Sequence, residues 1–72
     1  MAGRITIDIA SPPDREKLVA EIFVDHEQLC ELNIETGELT LELYPRKDGG
    51  PWQMPLQELM QALAKAKEQL GA

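Results

Sequence analysis

The chain has 72 residues, of which 43% are hydrophobic and 28% charged, and its formal net charge is −6 at pH 7. This is typical of one small globular domain, and we predict a single domain over residues 1–72. A single cysteine excludes an internal disulfide and a thiolate metal cage, so we expect no metal or other cofactor and favour a cytoplasmic protein. We also expect no signal peptide and no membrane-spanning segment, because charged residues interrupt every apolar run.

The charge is unevenly distributed along the chain. Residues 5–42 hold ten acidic and two basic residues, a net charge of −8, whereas residues 43–72 carry a net charge of +1. An acidic field repels phosphate backbones and bilayer surfaces and attracts basic proteins. We therefore expect a basic protein partner and neither nucleic acid nor membrane, although a net negative charge can also serve only to keep a small protein in solution.

The first predicted element is a strand over residues 4–10, because "RITIDIA" alternates between isoleucines and polar residues. "SPPDRE" ends this strand, since two prolines remove amide donors from any ladder. The alternation then continues from Leu18 to Ile34, but "DHEQ" in its middle is polar on both sides. This pattern predicts either one long bent strand or two strands, over residues 18–25 and 28–35, with a break near Asp25–Gln28.

A hairpin and a helix complete the predicted fold. "ETGE" is typical of a hairpin turn, and "LTLELY" predicts a strand over residues 38–44 with its leucines inward. Residues 45–54 form a corner rather than a phosphate-binding loop, because they lack the required glycine and lysine spacing. Leucines at intervals of three and four residues predict a helix over residues 55–70, begun by Pro55, capped by Glu58 and ended by Gly71. The expected fold class is α+β: a small antiparallel sheet of three to four strands with one C-terminal helix packed on one face.

The sequence offers little for catalysis. His26 is the only histidine, and it lies four residues from Cys30, about 13 Å apart in an extended strand. We interpret Cys30 as a small core residue and His26 as an exposed or edge residue. Carboxylates are numerous but show no metal-ligand spacing, and a small sheet with one helix offers little concavity. We therefore predict that the protein is not an enzyme and has no catalytic or metal-binding residues.

If the isoleucine and leucine side of the sheet lies under the helix, the opposite side is open to solvent. We expect this open face to carry acidic side chains together with Val19, Phe23, Leu29 and Tyr44. Stability gives little reason to gather like charges on neighbouring strands, whereas a binding face needs charge to steer encounter and apolar anchors to slow release. The predicted partner-binding residues are Glu21, Phe23, Asp25, Glu31, Glu42 and Tyr44, with Trp52 as a rim contact.

The sequence also suggests three alternatives to this binding face. A solvated sheet face with scattered apolar residues is common and needs no partner. A second candidate surface is the end formed by Tyr44, Arg46, Lys47 and Trp52. A third is self-association through the helix or an exposed strand edge, since small open sheets have free edges.

The runs "ITIDIASPPDREKLVAEIFVDHEQLCELN", "GELTLELYPRKDGGPW" and "ELMQALAKAKEQL" cover nearly the whole chain. Together they resemble the small acidic immunity proteins of bacterial polymorphic toxin systems, of the contact-dependent inhibition and Rhs types. This resemblance implies a cytoplasmic, non-enzymatic antitoxin that binds one cognate toxin domain, often a basic nuclease, and blocks its active site or substrate path. The alternative is a dimerising adaptor or structural module that serves a larger complex without inhibiting anything.

Overall fold

The computed structural model describes residues 4–71, which form a four-stranded antiparallel sheet with one helix packed against it. Each strand pairs with the next in chain order. The elements are β1 (Ile5–Ala10), β2 (Val19–Val24), β3 (Glu27–Asn33), β4 (Thr40–Leu43) and α1 (Leu56–Leu70). The predicted α+β fold class is therefore confirmed. The single-domain prediction covered residues 1–72, of which residues 1–3 and 72 lie outside the described part.

The polar "DHEQ" segment contains the turn between β2 and β3, so the chain forms two strands here rather than one bent strand. Asp25 and His26 both have positive backbone φ angles, of 50° and 71°. Two consecutive residues with positive φ form the turn whose twist matches that of a tight antiparallel hairpin. Asp25 also joins the hairpin end to the start of β1, because its Oδ1 accepts a hydrogen bond of 2.9 Å from the amide of Arg4.

A β-bulge at Leu29 changes the side to which its side chain points. Phe23 of β2 pairs with Gln28, and Ile22 pairs with Cys30, so Leu29 is an extra residue in β3. Leu29 and Cys30 both belong to the buried core. The prediction that Leu29 lies on the open face is therefore wrong, because the alternation slips by one residue at the bulge.

Helix α1 packs on β1 and β2. Ala62 and Ala66 are its buried residues, and small side chains there let the helix backbone approach the sheet closely. Pro55 immediately precedes the helix, and Gly71 ends it with a φ of 83° in the left-handed conformation. The predicted cap by Glu58 is not formed: Glu58 lies in the first turn, but among residues 4–71 no side-chain hydrogen bond caps the helix.

The core lies between α1 and the side of the sheet that carries Ile22, Cys30 and Leu32. Its partly buried members are Ile5, Ile7, Val24, Trp52, Met54, Leu59, Leu63 and Leu70. The opposite side of the sheet, which carries Glu21 and Phe23, is therefore free of the helix. Within residues 4–71, no helix is long and apolar enough to cross a membrane.

One helix covers only about half of the sheet. Strands are spaced about 4.8 Å apart and a helix is about 10 Å wide, so α1 on β1 and β2 leaves β4 uncovered. Leu39, Leu41 and Leu43 point to the helix side, as predicted, but all three remain exposed. The side that holds the core thus also presents an uncovered apolar strip.

Candidate protein-binding site

Four carboxylates form one row straight across the open face of the sheet. Asp8 of β1 pairs directly with Glu21 of β2, and Glu21 pairs with Glu31 of β3. Glu31 in turn pairs with Glu42 of β4. We call these four residues the acidic row. Like charges directly opposite each other on neighbouring strands are destabilising, so this arrangement lowers the stability of the sheet wherever no cation compensates it.

Arg15 supplies a cation to one half of the acidic row. Its Nη2 lies 2.9 Å from Oε2 of Glu31 and 3.0 Å from Oε2 of Glu42. Burial lowers the pKa of the Arg15 guanidinium, but the carboxylates of Glu31, Glu42, Asp14 and Glu35 together raise it by more, so its pKa lies above the ordinary value. Sequence reasoning missed this role, because nothing in "SPPDRE" indicates that Arg15 reaches strands β3 and β4.

The β1–β2 connection is held across the open face by Glu35 as well as by Arg15. The two carboxylate oxygens of Glu35 accept hydrogen bonds from the amides of Glu16 and Lys17, at 3.0 and 3.1 Å. Because the connection crosses the sheet here, Val19 is fully buried and Glu31 is only 5% exposed. The open face is therefore narrower than the sequence predicts, and Glu31 lies beneath the connection rather than in solvent.

Tyr44 and Asn33 extend the hydrogen-bond network around Arg15. The Tyr44 hydroxyl donates to Oε2 of Glu42 at 2.9 Å, and the Asn33 amide donates to Oε2 of Glu31 at 3.0 Å. Burial and the hydrogen bond to Glu42 raise the pKa of Tyr44 to about 12. Glu42 and Tyr44 thus hold a structural cluster together, while part of each remains at the surface.

In the other half of the acidic row, no carboxylate forms an ion pair with a cation of residues 4–71. Asp8 is exposed and Glu21 is half-buried, and none of the ion pairs within residues 4–71 involves either carboxylate. Thr6 and Phe23 pair with each other one row further along β1 and β2, and Phe23 is half-buried on the same face. Two free carboxylates beside an aromatic ring form the candidate site.

Two predicted site residues lie away from this pair. Asp25 is in the β2–β3 turn, where its carboxylate accepts the Arg4 amide hydrogen bond. Trp52 lies on the helix side, where it lines a depression with Leu29, Leu43 and other apolar residues. The structure therefore brings Glu21 and Phe23 together. It joins Glu31, Glu42 and Tyr44 in a second group around Arg15. Asp25 and Trp52 lie apart from both groups.

The corner that contains Trp52 is held by local contacts. The Trp52 indole N–H donates to the carbonyl of Tyr44 at 2.9 Å, and the Arg46 guanidinium carbon lies 5.5 Å from the indole centroid. Arg46 also donates to the carbonyl of Pro51 and pairs with Asp48 at 3.2 Å. These contacts fit the structural corner that the sequence predicts for residues 45–54.

His26 and Cys30 do not share an accessible site. His26 is exposed in the β2–β3 turn, whereas Cys30 is fully buried in the core. Burial raises the pKa of the Cys30 thiol to about 11, which keeps it protonated and unreactive near neutral pH. No group of three or more potential metal ligands occurs among the described residues.

In comparisons with known proteins, no family model, no curated protein and no solved structure matches this chain.

Proposed function

We propose that this protein is a non-enzymatic inhibitor of the immunity type, which binds a basic toxin domain through the free half of its acidic row. The observation that carries the proposal is the direct pairing of Asp8 with Glu21 on an open sheet face. The choice of a toxin as the partner rests on the resemblance of the sequence to immunity proteins.

Arg15 illustrates how a partner would bind. One guanidinium nitrogen is within 3.0 Å of two carboxylates, Glu31 and Glu42, that are directly paired across neighbouring strands. Asp8 and Glu21 have the same relation on β1 and β2. An arginine from a basic partner would therefore find two carboxylates with the same cross-strand pairing, but with no ion-pair partner in the described part of the chain.

Phe23 would provide the apolar part of the contact. Interfaces that use charge alone associate quickly but dissociate quickly, whereas a buried aromatic anchor slows release. Phe23 lies two residues from Glu21 on the same strand and the same face. Two neighbouring side chains of a partner, one basic and one apolar, can therefore contact Glu21 and Phe23 at the same time. Such an interface has a polar rim around an apolar centre, as stable protein complexes do.

Inhibition would follow from occupying a basic cleft. In a nuclease, that cleft binds substrate phosphates through arginine and lysine side chains. The carboxylates of Asp8 and Glu21 would take the place of two phosphates, and the sheet itself would block access to the cleft. No group of the inhibitor needs to react in this mechanism.

The first experiment identifies the partner. The protein is immobilised and exposed to lysate of its native host, alongside Glu21→Lys and the matched control Glu68→Lys. Glu68 is exposed on α1, on the opposite side of the molecule, so both variants change the net charge equally. A basic protein that is retained by the wild type and by Glu68→Lys, but lost with Glu21→Lys, supports the proposal.

The second experiment separates inhibition from mere binding. The purified partner is assayed for its own activity, for example nucleic-acid cleavage, with increasing amounts of the wild-type protein. Loss of activity at a 1:1 ratio is expected. A complex that forms but leaves the activity unchanged would reject the inhibitor and favour an adaptor.

A further inference from the structure

The uncovered apolar strip on the helix side continues into a groove between β4 and α1. Two adjacent depressions, of about 570 and 330 Å³, lie along it. Leu43 and Leu56 line the first, and Leu41 and Leu63 line the second. Met60 lies on the same side of α1, because it is four residues after Leu56 and three before Leu63. We call this surface the apolar groove.

We propose that the apolar groove is the interface of a symmetric homodimer. In this dimer the α1 edge of one copy, which carries Leu56 and Met60, packs against Leu41 and Leu43 of β4 in the other. The proposal concerns the side of the sheet opposite the acidic row, so it does not depend on the proposed function.

The shape of the surface favours a second copy of the chain. A two-fold symmetric interface must be self-complementary, so each copy has to offer both a projecting part and a recess. Leu56 and Met60 are 69% and 55% exposed and project from the α1 side, whereas the depressions beside them provide the recess. One surface therefore holds both parts that the symmetry requires.

The apolar area is sufficient for a dimer. Leu39, Leu41, Leu43, Leu56 and Met60 are each between 40% and 69% exposed. Together they expose on the order of 400 Å² of apolar surface, which is in the range of the largest apolar patch on a typical monomer, and such a patch often serves as a contact surface. Homodimer interfaces are about 65% apolar, so this corresponds to roughly 1,200 Å² buried in total, the lower end for a stable specific complex. A dimer of moderate affinity is expected.

The charge distribution removes the main objection to pairing two acidic chains. The acidic row lies on the opposite face of the sheet, and α1 carries two acidic and two basic residues. Docking through the apolar groove therefore keeps the acidic rows on the outside of the dimer, where water and salt screen them. Each dimer would present two separate sites for basic partners.

Pairing of two β4 edges is a weaker alternative. The amide of Tyr44 bonds to the carbonyl of Leu29, so the alternating ladder leaves Leu39, Leu41 and Leu43 with their backbone groups pointing outward. Two such edges could join with Leu41 opposite Leu41. That contact would involve a strand of only four residues and would leave Leu56 and Met60 uncovered, so it buries less apolar area.

The test is the oligomeric state in solution. Sedimentation equilibrium of the full chain at about 10–500 µM is expected to show a dimer of twice the 8.1 kDa chain mass. Met60→Lys and Leu43→Lys should each raise the dissociation constant at least tenfold. The matched control is Leu18→Lys, because Leu18 is 51% exposed in the β1–β2 connection and away from the groove. Circular dichroism confirms that each variant is folded.

A second measurement locates the interface without any substitution. In a mixture of isotope-labelled and unlabelled chains, intermolecular nuclear Overhauser effects are expected between the Met60 methyl and the Leu41 or Leu43 methyls. A monomer at 500 µM would overturn the proposal. So would a dimer that shows no such contacts, or one with a strongly protected Leu41 amide and an exposed Met60, which would indicate β4 edge pairing.

Discussion

Asp8 and Glu21 face each other directly across β1 and β2, and no ion pair within residues 4–71 neutralises either carboxylate. The next pair in the same row, Glu31 and Glu42, shares the guanidinium of Arg15. The sheet therefore presents, side by side, one carboxylate pair that shares a single cation and one pair that has no ion-pair partner within residues 4–71. This difference within a single row leads us to place the binding site on β1 and β2.

Reversing the free pair should weaken binding of a basic partner in a salt-dependent way. Asp8→Lys and Glu21→Lys are each expected to lower affinity about tenfold or more at low salt, and less at high salt, because screening reduces the charge contribution. Titration calorimetry with the purified partner at two salt concentrations measures this. Glu68→Lys is the matched control, and an equal loss with that variant would indicate a general charge effect instead of a site.

Removing Arg15 should destabilise the fold. In Arg15→Gln the carboxylate of Glu31 stays beneath the β1–β2 connection without its cation, and an unpaired buried charge is costly. Thermal unfolding followed by circular dichroism should show a melting temperature several degrees lower. Adding Glu31→Gln to this variant should restore part of the loss, because it removes the unpaired charge; no recovery would mean that the ion pair is not the cause.

The alternation of the sequence predicted the strand segments, the side that α1 covers and the burial of Cys30, but it left open whether the segment around "DHEQ" forms one bent strand or two. It could not predict which side of the sheet Leu29 faces, because the hydrophobic pattern before and after a β-bulge does not reveal the extra residue. It also could not predict that Glu31 is buried, because this depends on Arg15 reaching across two strands from a connection that looks like an ordinary turn. Local sequence patterns thus predict the strands and the helix. Long-range side-chain contacts determine which part of the open face stays free of the β1–β2 connection.

Trp52 should contribute to stability through both packing and its indole hydrogen bond. Trp52→Ala is expected to lower the free energy of unfolding by about 3 kcal/mol, because the side chain packs against the core beside Leu29. Trp52→Phe keeps an aromatic ring but loses the bond to the Tyr44 carbonyl, and should cost about 1 kcal/mol. Urea unfolding measures both values. A change within error for Trp52→Ala would show that the indole is not part of the core.

The buried Cys30 thiol should make the protein less stable at alkaline pH. The thiol ordinarily titrates near 9.0, and burial raises its pKa to about 11 in the folded chain. Between these values the unfolded chain loses a proton that the folded chain retains, so the free energy of unfolding falls as the pH rises. The expected loss is on the order of 2 kcal/mol.

Urea unfolding at pH 8 and at pH 10.8 tests this, with Cys30→Ala as the control. At pH 8 the variant has a lower free energy of unfolding than the wild type, because the packing of the thiol is lost. Its free energy of unfolding should, however, decrease less between pH 8 and pH 10.8. Tyr44, whose pKa is raised to about 12, adds a further decline above pH 10 in both proteins. Equal pH dependence of the wild type and Cys30→Ala would contradict the role given to burial of the thiol.

The binding face can be located most directly by nuclear magnetic resonance. Backbone amide shifts of the labelled protein are recorded while the purified basic partner is added. We predict that the largest changes occur at Thr6, Asp8, Glu21 and Phe23, on the open side of β1 and β2. Changes confined to β4 and the α1 edge, with the amides of Asp8 and Glu21 unaffected, would contradict the acidic-row site.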